Sequence, residues 1–373
     1  MYDIIIIGGN LSGASAAINA AKKGVKCALI ERHKEPFLPA HCGEGIADVI
    51  GDFLELDYIK CKKNQIDTIT ISLSDLKKYN FRLIKHKILI INRNHLEKNL
   101  LKKAEQNGAK LIIGNSVKDF KTPNNVILDN NEKLKGRIII DATGIACFVG
   151  SKIGINKKLK PEDVGVCIQS KIKGSFNKNC VHLWYHKPYA PFGYAWLFPI
   201  DNNTANIGVG IPGGQKIDLQ KLLTEYIKFE TDNNFEILST FRSCVPSASP
   251  LNELVKENVM LVGDAARLAN PATGAGIHNA IISGSLAGCI AAKYIKSELE
   301  SLEIYQNEMK KILYRLTKTY KNKIKLTTDK KFISAYKKSF SMLNFANSLL
   351  PGFFQNYVAK TLLKDLNILE KYK

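Results

Sequence analysis

The 373 residues are 45% hydrophobic and 24% charged, a balance that excludes a disordered or fibrous chain and leaves room for two or three domains. Lys and Arg number 54 against 34 Asp and Glu, a formal +20, which admits nucleic acid, anionic membranes and acidic substrates as partners. Only seven of those cations are arginines, the side chain that reads base edges and phosphates best, so no nucleic-acid partner is expected. The eight cysteines contain no CxxC pair, so no metal site is expected and reduced thiols are the default. Asp3 and Gly8-Gly9 bracket a short apolar run, unlike a signal peptide, and no stretch of uncharged, mostly apolar residues runs without strong interruption for the length a bilayer requires, so no spanning helix is expected. A cytoplasmic location with peripheral membrane association follows.

Tyr2–Ile7, with its unbroken β-branched run Ile4–Ile7, is read as a strand buried on both faces of a parallel sheet. Gly8-Gly9-Asn10-Leu11-Ser12-Gly13 turns it into an Ala-rich helix through Lys23, and Lys26–Ile30 forms a second strand ending at Glu31. This βαβ unit aims backbone N–H groups and a positive helix end at a pyrophosphate, with Glu31 placed to accept from ribose hydroxyls. Gly8 permits the tight turn and Gly13 the close helix–strand packing. Asn10 replaces the second glycine of the pattern; Asn tolerates a left-handed φ, but its side chain is expected to crowd the phosphates.

Strands are predicted at Lys87–Ile91 and Lys110–Ile113, flanking a helix from Arg93 to Asn107, and another at Gly136–Ile140 running into Asp141-Ala142-Thr143-Gly144. Residues 163–210 read as an antiparallel sheet over a cleft. Asn258–Val262 is the last core strand, leading through Gly263-Asp264 to a small-residue helix from Gly276 to about Lys296, with helices beyond. The expected fold is α/β. A discontinuous Rossmann-type dinucleotide domain (1–60, 86–160 and 255–300) interleaves with an antiparallel-sheet substrate domain (61–85 and 161–254), and helices cover 301–373.

A strand ending in Asp-Ala-Thr-Gly and a later one ending in Gly-Asp-Ala-Ala resemble flavoproteins with the p-hydroxybenzoate hydroxylase type of fold. Alone, Gly263-Asp264 could be an ordinary turn with a capping aspartate. Two further motifs, Cys42-Gly43-Glu44-Gly45 and Pro191-Phe192-Gly193-Tyr194-Ala195-Trp196-Leu197-Phe198-Pro199 with Gly208-Val209-Gly210, resemble the geranylgeranyl reductase family, and its archaeal ether-phospholipid branch in particular. The resemblance spans residues 1–295, and Asn10 is its clear departure. It implies FAD, with NADPH or ferredoxin as external reductant. The implied cofactor contacts are Gly8, Gly9, Asn10, Ser12, Gly13, Glu31, Arg32, Cys42, Gly43, Arg93, Ala142, Gly144, Gly263, Asp264, Gly274, Gly276 and Ile277. The implied activity is saturation of isoprenoid C=C bonds in geranylgeranyl chains by hydride transfer from reduced FAD. An aromatic monooxygenase of the same fold and a non-catalytic lipid-binding protein are the alternatives.

Tyr194, Trp196 and Phe198 alternate along a strand, so their rings share one face. Such alternation also builds sandwich cores; with the resemblance it reads as a tunnel for an isoprenoid, joined by Glu44, Pro199, Gly208 and Gly210. Hydride delivery to an unpolarised alkene needs a proton at the other carbon, and Cys42 is the candidate donor, although a cysteine there could be a small buried hydrophobe. Glu44 orders its loop or binds a polar substrate group. Arg93 would neutralise the FAD diphosphate, or be a plain exposed helix arginine. His41, His182 and His186 lack metal-ligand spacing and read as structural or surface.

From Tyr305 to Phe340, eleven Lys/Arg face two acids, a net +9, and Ser339–Ala359 then carries no charge but many aromatic and aliphatic residues. This pairing predicts in-plane docking on an anionic membrane; an amphipathic cap packed on the catalytic domains is the competing reading.

Overall fold

A computed structural model describes residues 1–34, 42–53, 60–350 and 352–372. His41 and Pro351 lie outside the described residues. The chain enters β1 (Tyr2–Ile7), turns into α1 (Leu11–Lys22) and returns as β2 (Cys27–Glu31). A short strand β3 (Gly45–Ala47) and α2 (Asp48–Phe53) follow, then β4 (Lys62–Ile66), β5 (Thr68–Leu73), β6 (Lys78–Arg82) and β7 (Ile88–Ile91). Next come α3 (Arg93–Gln106), β8 (Lys110–Ile113), β9 (Val117–Lys121), β10 (Asn125–Leu128), β11 (Lys133–Asp141) and α4 (Phe148–Lys152). Four long strands, β12 (Val164–Lys173), β13 (Cys180–His186), β14 (Ala190–Pro199) and β15 (Thr204–Pro212), lead to α5 (Leu219–Thr231) and β16 (Glu236–Pro246). The chain closes with β17 (Val255–Lys256), β18 (Val259–Leu261), α6 (Ile277–Ile295), α7 (Glu303–Lys323), α8 (Asp329–Leu349) and α9 (Phe353–Leu366).

The expected α/β architecture is present. One sheet runs β17-β18-β11-β1-β2-β8, parallel from β18 to β8, with the β9–β10 hairpin appended to β11. Ile4 pairs with both Ile138 and Cys27, and Ile4 to Ile7 are buried on both faces, which is why that run lacks polar alternation. A second sheet runs β16-β12-β15-β14-β13-β5-β6. Its pairs are antiparallel, as expected, except at one seam. β5 pairs parallel with β13, because its hairpin with β6 arrives from an earlier stretch of chain rather than through a tight turn. A small third sheet, β3-β7-β4, adjoins them.

Helices α1 and α6 pack through small residues. A Cβ on Gly284 would overlap the Ser12 carbonyl oxygen, and one on Gly288 the Ala16 carbonyl oxygen. The equal spacing of these two contacts means the helices run in the same direction, with α6 starting about six residues, roughly 9 Å, ahead of α1.

Asn10 behaves differently from its expectation. Its φ is −80°, in extended rather than left-handed backbone, because it is the N-cap of α1. Its Oδ1 accepts from Ser12 N at 3.0 Å, Gly13 N at 3.3 Å and Ser12 Oγ at 2.8 Å, while Nδ2 donates to the Ala142 carbonyl at 2.6 Å. The positive φ of the turn is at Gly8, +109°, where a Cβ would strike Ala142. With both ends of its amide engaged by protein, Asn10 is turned back into the fold rather than projected at a phosphate. Asn10→Ala should therefore cost about 1–2 kcal/mol of stability, from the lost cap and the lost strand tether, read as a lower midpoint in denaturant unfolding of the flavin-free protein.

Candidate active site

The carboxyl ends of the parallel strands face a cavity of about 1700 Å³ that continues beneath the second sheet. Asn10, Ser12, Arg32, Gly144, Asp264, Gly274, Gly276 and Ile277 line it, together with Cys42, Gly43 and Arg93. Gly8, Gly9, Gly13, Glu31, Ala142 and Gly263 stand behind that wall and give it shape. A Cβ on Gly13 would overlap the Gly8 carbonyl, one on Gly9 would lie 2.9 Å from Glu31 Cβ, and one on Gly263 would lie 2.8 Å from Ser12 Oγ. Glu31 sits at the turn as expected, but its oxygens already accept from Gly9 N at 2.7 Å and His33 N at 2.9 Å. A ribose hydroxyl there would share or displace one of these bonds.

Two features of this wall fit FAD. The N-terminus of α6, at Gly276, has no side-chain cap, so its amides and positive dipole end are available to an electron-rich ring edge. The Asp264 carboxylate, at the end of the last parallel strand, has no hydrogen-bond donor among the described residues; burial raises its pKa, and Arg93 partly opposes that. The Asn270–Gly276 loop between them is held from behind. Asn270 Oδ1 accepts from Ala272 N and Thr273 N, and the Thr273 carbonyl accepts from Tyr194 Oη at 2.6 Å.

Tyr194, Trp196 and Phe198 all face the cavity, with the Tyr194 and Trp196 ring centroids 5.5 Å apart. Gly208 and Gly210 lie under the Trp196 indole: a Cβ on Gly208 would overlap that ring, so these glycines seat the aromatic, and only Gly210 reaches the cavity wall. Pro199 is buried away from the cavity, its carbonyl accepting from Asn64 Nδ2 at 2.8 Å, and so does not join the lining. The Cys42–Gly45 loop is pressed onto the same strand, since a Cβ on Gly43 would lie 2.5 Å from Phe198 Cε2. Glu44 adopts φ +66°, and its two oxygens accept from Arg93 N and Asn206 Nδ2, each at 3.0 Å. Burial pushes its carboxyl up, opposed by those two bonds. Of the two roles expected for Glu44, the geometry supports loop ordering.

Arg93 lines the cavity but is not a plain exposed arginine. Its guanidinium is bonded to Glu97 at 3.0 Å and contacts Cys42. Burial alone would lower its pKa, but Glu97 and then Cys42 hold it above its ordinary value. His182 is tied to Glu230 and to Ser72 Oγ, and His186 accepts from Phe192 N at 3.0 Å, so both serve structure. Among the described residues no cluster of His, Cys, Asp and Glu is placed to hold a metal.

Residues 163–245, which include the aromatic strand, match the geranylgeranyl reductase catalytic domain, and residues 3–151 match the FAD dependent oxidoreductase family. The chain resembles the geranylgeranyl reductase family. The digeranylgeranylglycerophospholipid reductase of Methanocella arvoryzae is 28% identical over 98% of this chain and 95% of its own. Digeranylgeranylglycerophospholipid reductase 1 of Methanococcoides burtonii is also 28% identical, over 83% of this chain and 79% of its own. In structure, the chain is similar to a geranylgeranyl bacteriochlorophyll reductase-like protein from Thermoplasma acidophilum, with TM-score 0.82 at 22% identity, covering 98% of this chain and 99% of that one. A flavin-dependent brominase shares the fold at TM-score 0.70 and 18% identity, covering 100% of this chain and 96% of that one.

Two residues of this site carried no motif signal. Gln169, on β12, is buried and bridges the loop to the aromatic strand: its Oε1 accepts from Trp196 Nε1 at 2.9 Å and its Nε2 donates to the Cys42 carbonyl at 3.1 Å. Only the strand pairing of β12 with β15, which brings Gln169 opposite Gly208, reveals it. Gln169→Leu orphans both partners and should lower turnover about tenfold or more at unchanged flavin content, with Gln169→Glu, which keeps the indole bond, between the two. Parallel turnover and flavin-absorbance measurements check this.

His278, in the first turn of α6, also faces the cavity. Burial, reinforced by Arg315, pushes its pKa down to about 4. A histidine kept neutral in the fold but protonated in the unfolded chain removes stability as pH falls from about 6.5 towards 4, by on the order of 3 kcal/mol. Denaturant unfolding across that window should show a shallower acid loss in His278→Gln than in the wild type. Equal slopes would exclude His278 as the cause.

Proposed function

We propose that the protein is a flavin-dependent reductase that saturates C=C bonds of geranylgeranyl chains, on precursors of archaeal-type ether phospholipids, met at an anionic membrane surface. The observation that carries this reading is that one cavity is lined by the uncapped end of α6, by Cys42, by the aromatic face of Tyr194, Trp196 and Phe198, and by Ile69, Val181 and Leu183. An aromatic and aliphatic wall of that extent suits a flexible hydrocarbon rather than a compact polar ring. The relatives named for digeranylgeranylglycerophospholipids support the lipid class. The likeness to a flavin-dependent brominase, at 18% identity, speaks to the fold alone.

Bound FAD, once reduced, supplies a hydride. The protein's part is to hold the alkene, exclude water and deliver a proton to the second carbon. The ring faces of Tyr194 and Trp196 would stabilise positive charge developing at a trisubstituted carbon. Cys42 Sγ accepts from Glu44 N at 3.3 Å and is in contact with the Arg93 guanidinium, so negative charge left on sulfur after proton donation faces a cation. Gln169 and Glu44 fix the loop that carries the thiol. Arg93, Asp264 and the α1 and α6 N-termini would hold the cofactor, with NADPH or a reduced ferredoxin as its source of electrons.

Mass spectrometry of lipids incubated with the protein and dithionite tests the reading: each reduced double bond should add two hydrogens. A product that gains oxygen instead, under air with NADPH, would replace the reductase with a monooxygenase. Cys42→Ala is expected to keep its FAD and to lose most saturation; unaltered saturation would remove the thiol from proton delivery.

A further inference from the structure

The basic and uncharged stretches at the C-terminus form α7, α8 and α9, and no helix among the described residues is long and apolar enough to cross a membrane. Helices α8 and α9 have two apolar faces. On the inner side, Phe332 and Tyr336 of α8 and Val358 and Leu362 of α9 line the cavity. On the outer side, around the turn joining the two helices, Met342, Phe345, Leu349, Leu350 and Tyr357 are each 62–66% exposed and Phe353 is 41% exposed. A single-layer cap packed on a soluble protein has no use for a second apolar face, and a contiguous patch of this kind marks an interaction surface.

The charge around the patch selects its partner. Residues 339–359 carry no charge, and Lys338, Lys360 and Lys364, all exposed, border them without an ion-pair partner among the described residues. The one acid within α9, Asp365, is turned inward and paired with Arg315. An apolar centre bordered on its own helices by lysines without acidic partners matches an anionic bilayer. We propose that the outer face of α8 and α9 docks on an anionic bilayer and that the prenyl tail passes from it into the cavity between these two helices. The idea rests on the reductase reading for the identity of the tail, while docking can be read independently of turnover.

The residues on the two sides of these helices make the passage short. Val358 lines the cavity one position after exposed Tyr357, so a single helix wall separates hydrocarbon outside from hydrocarbon inside. A tail moving laterally through that wall never exposes its length to water, whereas extraction of a whole lipid through solvent would.

The test compares the wild type with Phe345→Glu/Leu349→Glu by flotation on phosphatidylglycerol and phosphatidylcholine vesicles at low and high salt. It then compares reduction of a geranylgeranyl lipid embedded in phosphatidylglycerol vesicles with the same lipid dispersed in detergent. The wild type should float with the anionic vesicles alone and release at high salt. The double variant should lose flotation and reduction of the embedded lipid, yet reduce the detergent-dispersed lipid at the wild-type rate. Lys338→Gln/Lys360→Gln/Lys364→Gln, which spares the apolar surface, should weaken vesicle binding roughly fivefold per lysine and guards against a folding defect in the first variant. Val358→Trp should slow reduction of the embedded lipid at unchanged flotation. Failure of the wild type to float, or full reduction of embedded lipid by the Glu variant or by Val358→Trp, overturns the proposal. So does a dimer in sedimentation that the Glu variant abolishes while vesicle binding persists. Failure of the wild type to reduce the lipid in either form, with flotation intact, refutes the reductase reading and leaves docking standing.

Discussion

The contact between α1 and α6 is the constraint on which the site depends. Gly284 over Ser12 and Gly288 over Ala16 allow the two helix axes to approach until backbone meets backbone, a distance that any side chain at those glycines would forbid. Because the helices run the same way, their N-termini point at one cavity, with α6 reaching further along it. Two positive helix ends are thereby offset along a single groove. One lies at the glycine turn, where a diphosphate fits, and the other beside the Gly274–Gly276 loop, where an electron-rich ring fits. A bulkier pair of helices would separate the ends and dissolve that alignment.

The second sheet solves a different problem, which is to hold the Cys42–Gly45 loop against an aromatic surface without leaving polar groups unmatched. Cys42, Gly43 and Glu44 bring three carbonyls, three amides and a carboxylate to an aromatic wall. On neighbouring strands β12 and β15, Gln169 donates to the Cys42 carbonyl and Asn206 to the Glu44 carboxylate, while Gly43 lets Phe198 come to the loop backbone. The left-handed backbone at Glu44 costs on the order of 1 kcal/mol, and its two hydrogen bonds offset it. Arg93 then sits among Glu97, Cys42 and Asp264, so one half-buried cation joins the thiol, the cavity wall and the helix start. A substitution that neutralises it would disturb all three.

Local patterns in the chain identified the strands and helices that frame the cavity, because burial on two faces, glycine at a left-handed turn and aromatic alternation each leave a period or a residue type behind. They misjudged Asn10. A glycine motif implies a left-handed residue or a close approach at every glycine position, yet here the extended backbone of a helix cap occupies that position, and the special conformation belongs to Gly8. They also assigned Pro199 and Gly208 to the cavity wall with their neighbours. Strand geometry turns Pro199 toward Asn64 and places Gly208 beneath an indole instead.

What the sequence determined by itself was the kind of protein: a dinucleotide-binding βαβ unit, a flavin-type pair of strand ends and an aromatic strand resembling prenyl reductases, each read from short runs of consecutive residues. The tertiary structure alone decided which groups meet. Gln169 lies 127 residues from the Cys42 carbonyl that it holds, Glu44 lies 162 residues from Asn206, and His278 is kept neutral by burial and by Arg315 on another helix. The same holds for the outer face of α8 and α9, whose exposure depends on what the inner face packs against. Motifs record chemistry that is local along the chain, whereas hydrogen-bond partners, burial and the sidedness of a helix are set by neighbours that only folding brings together.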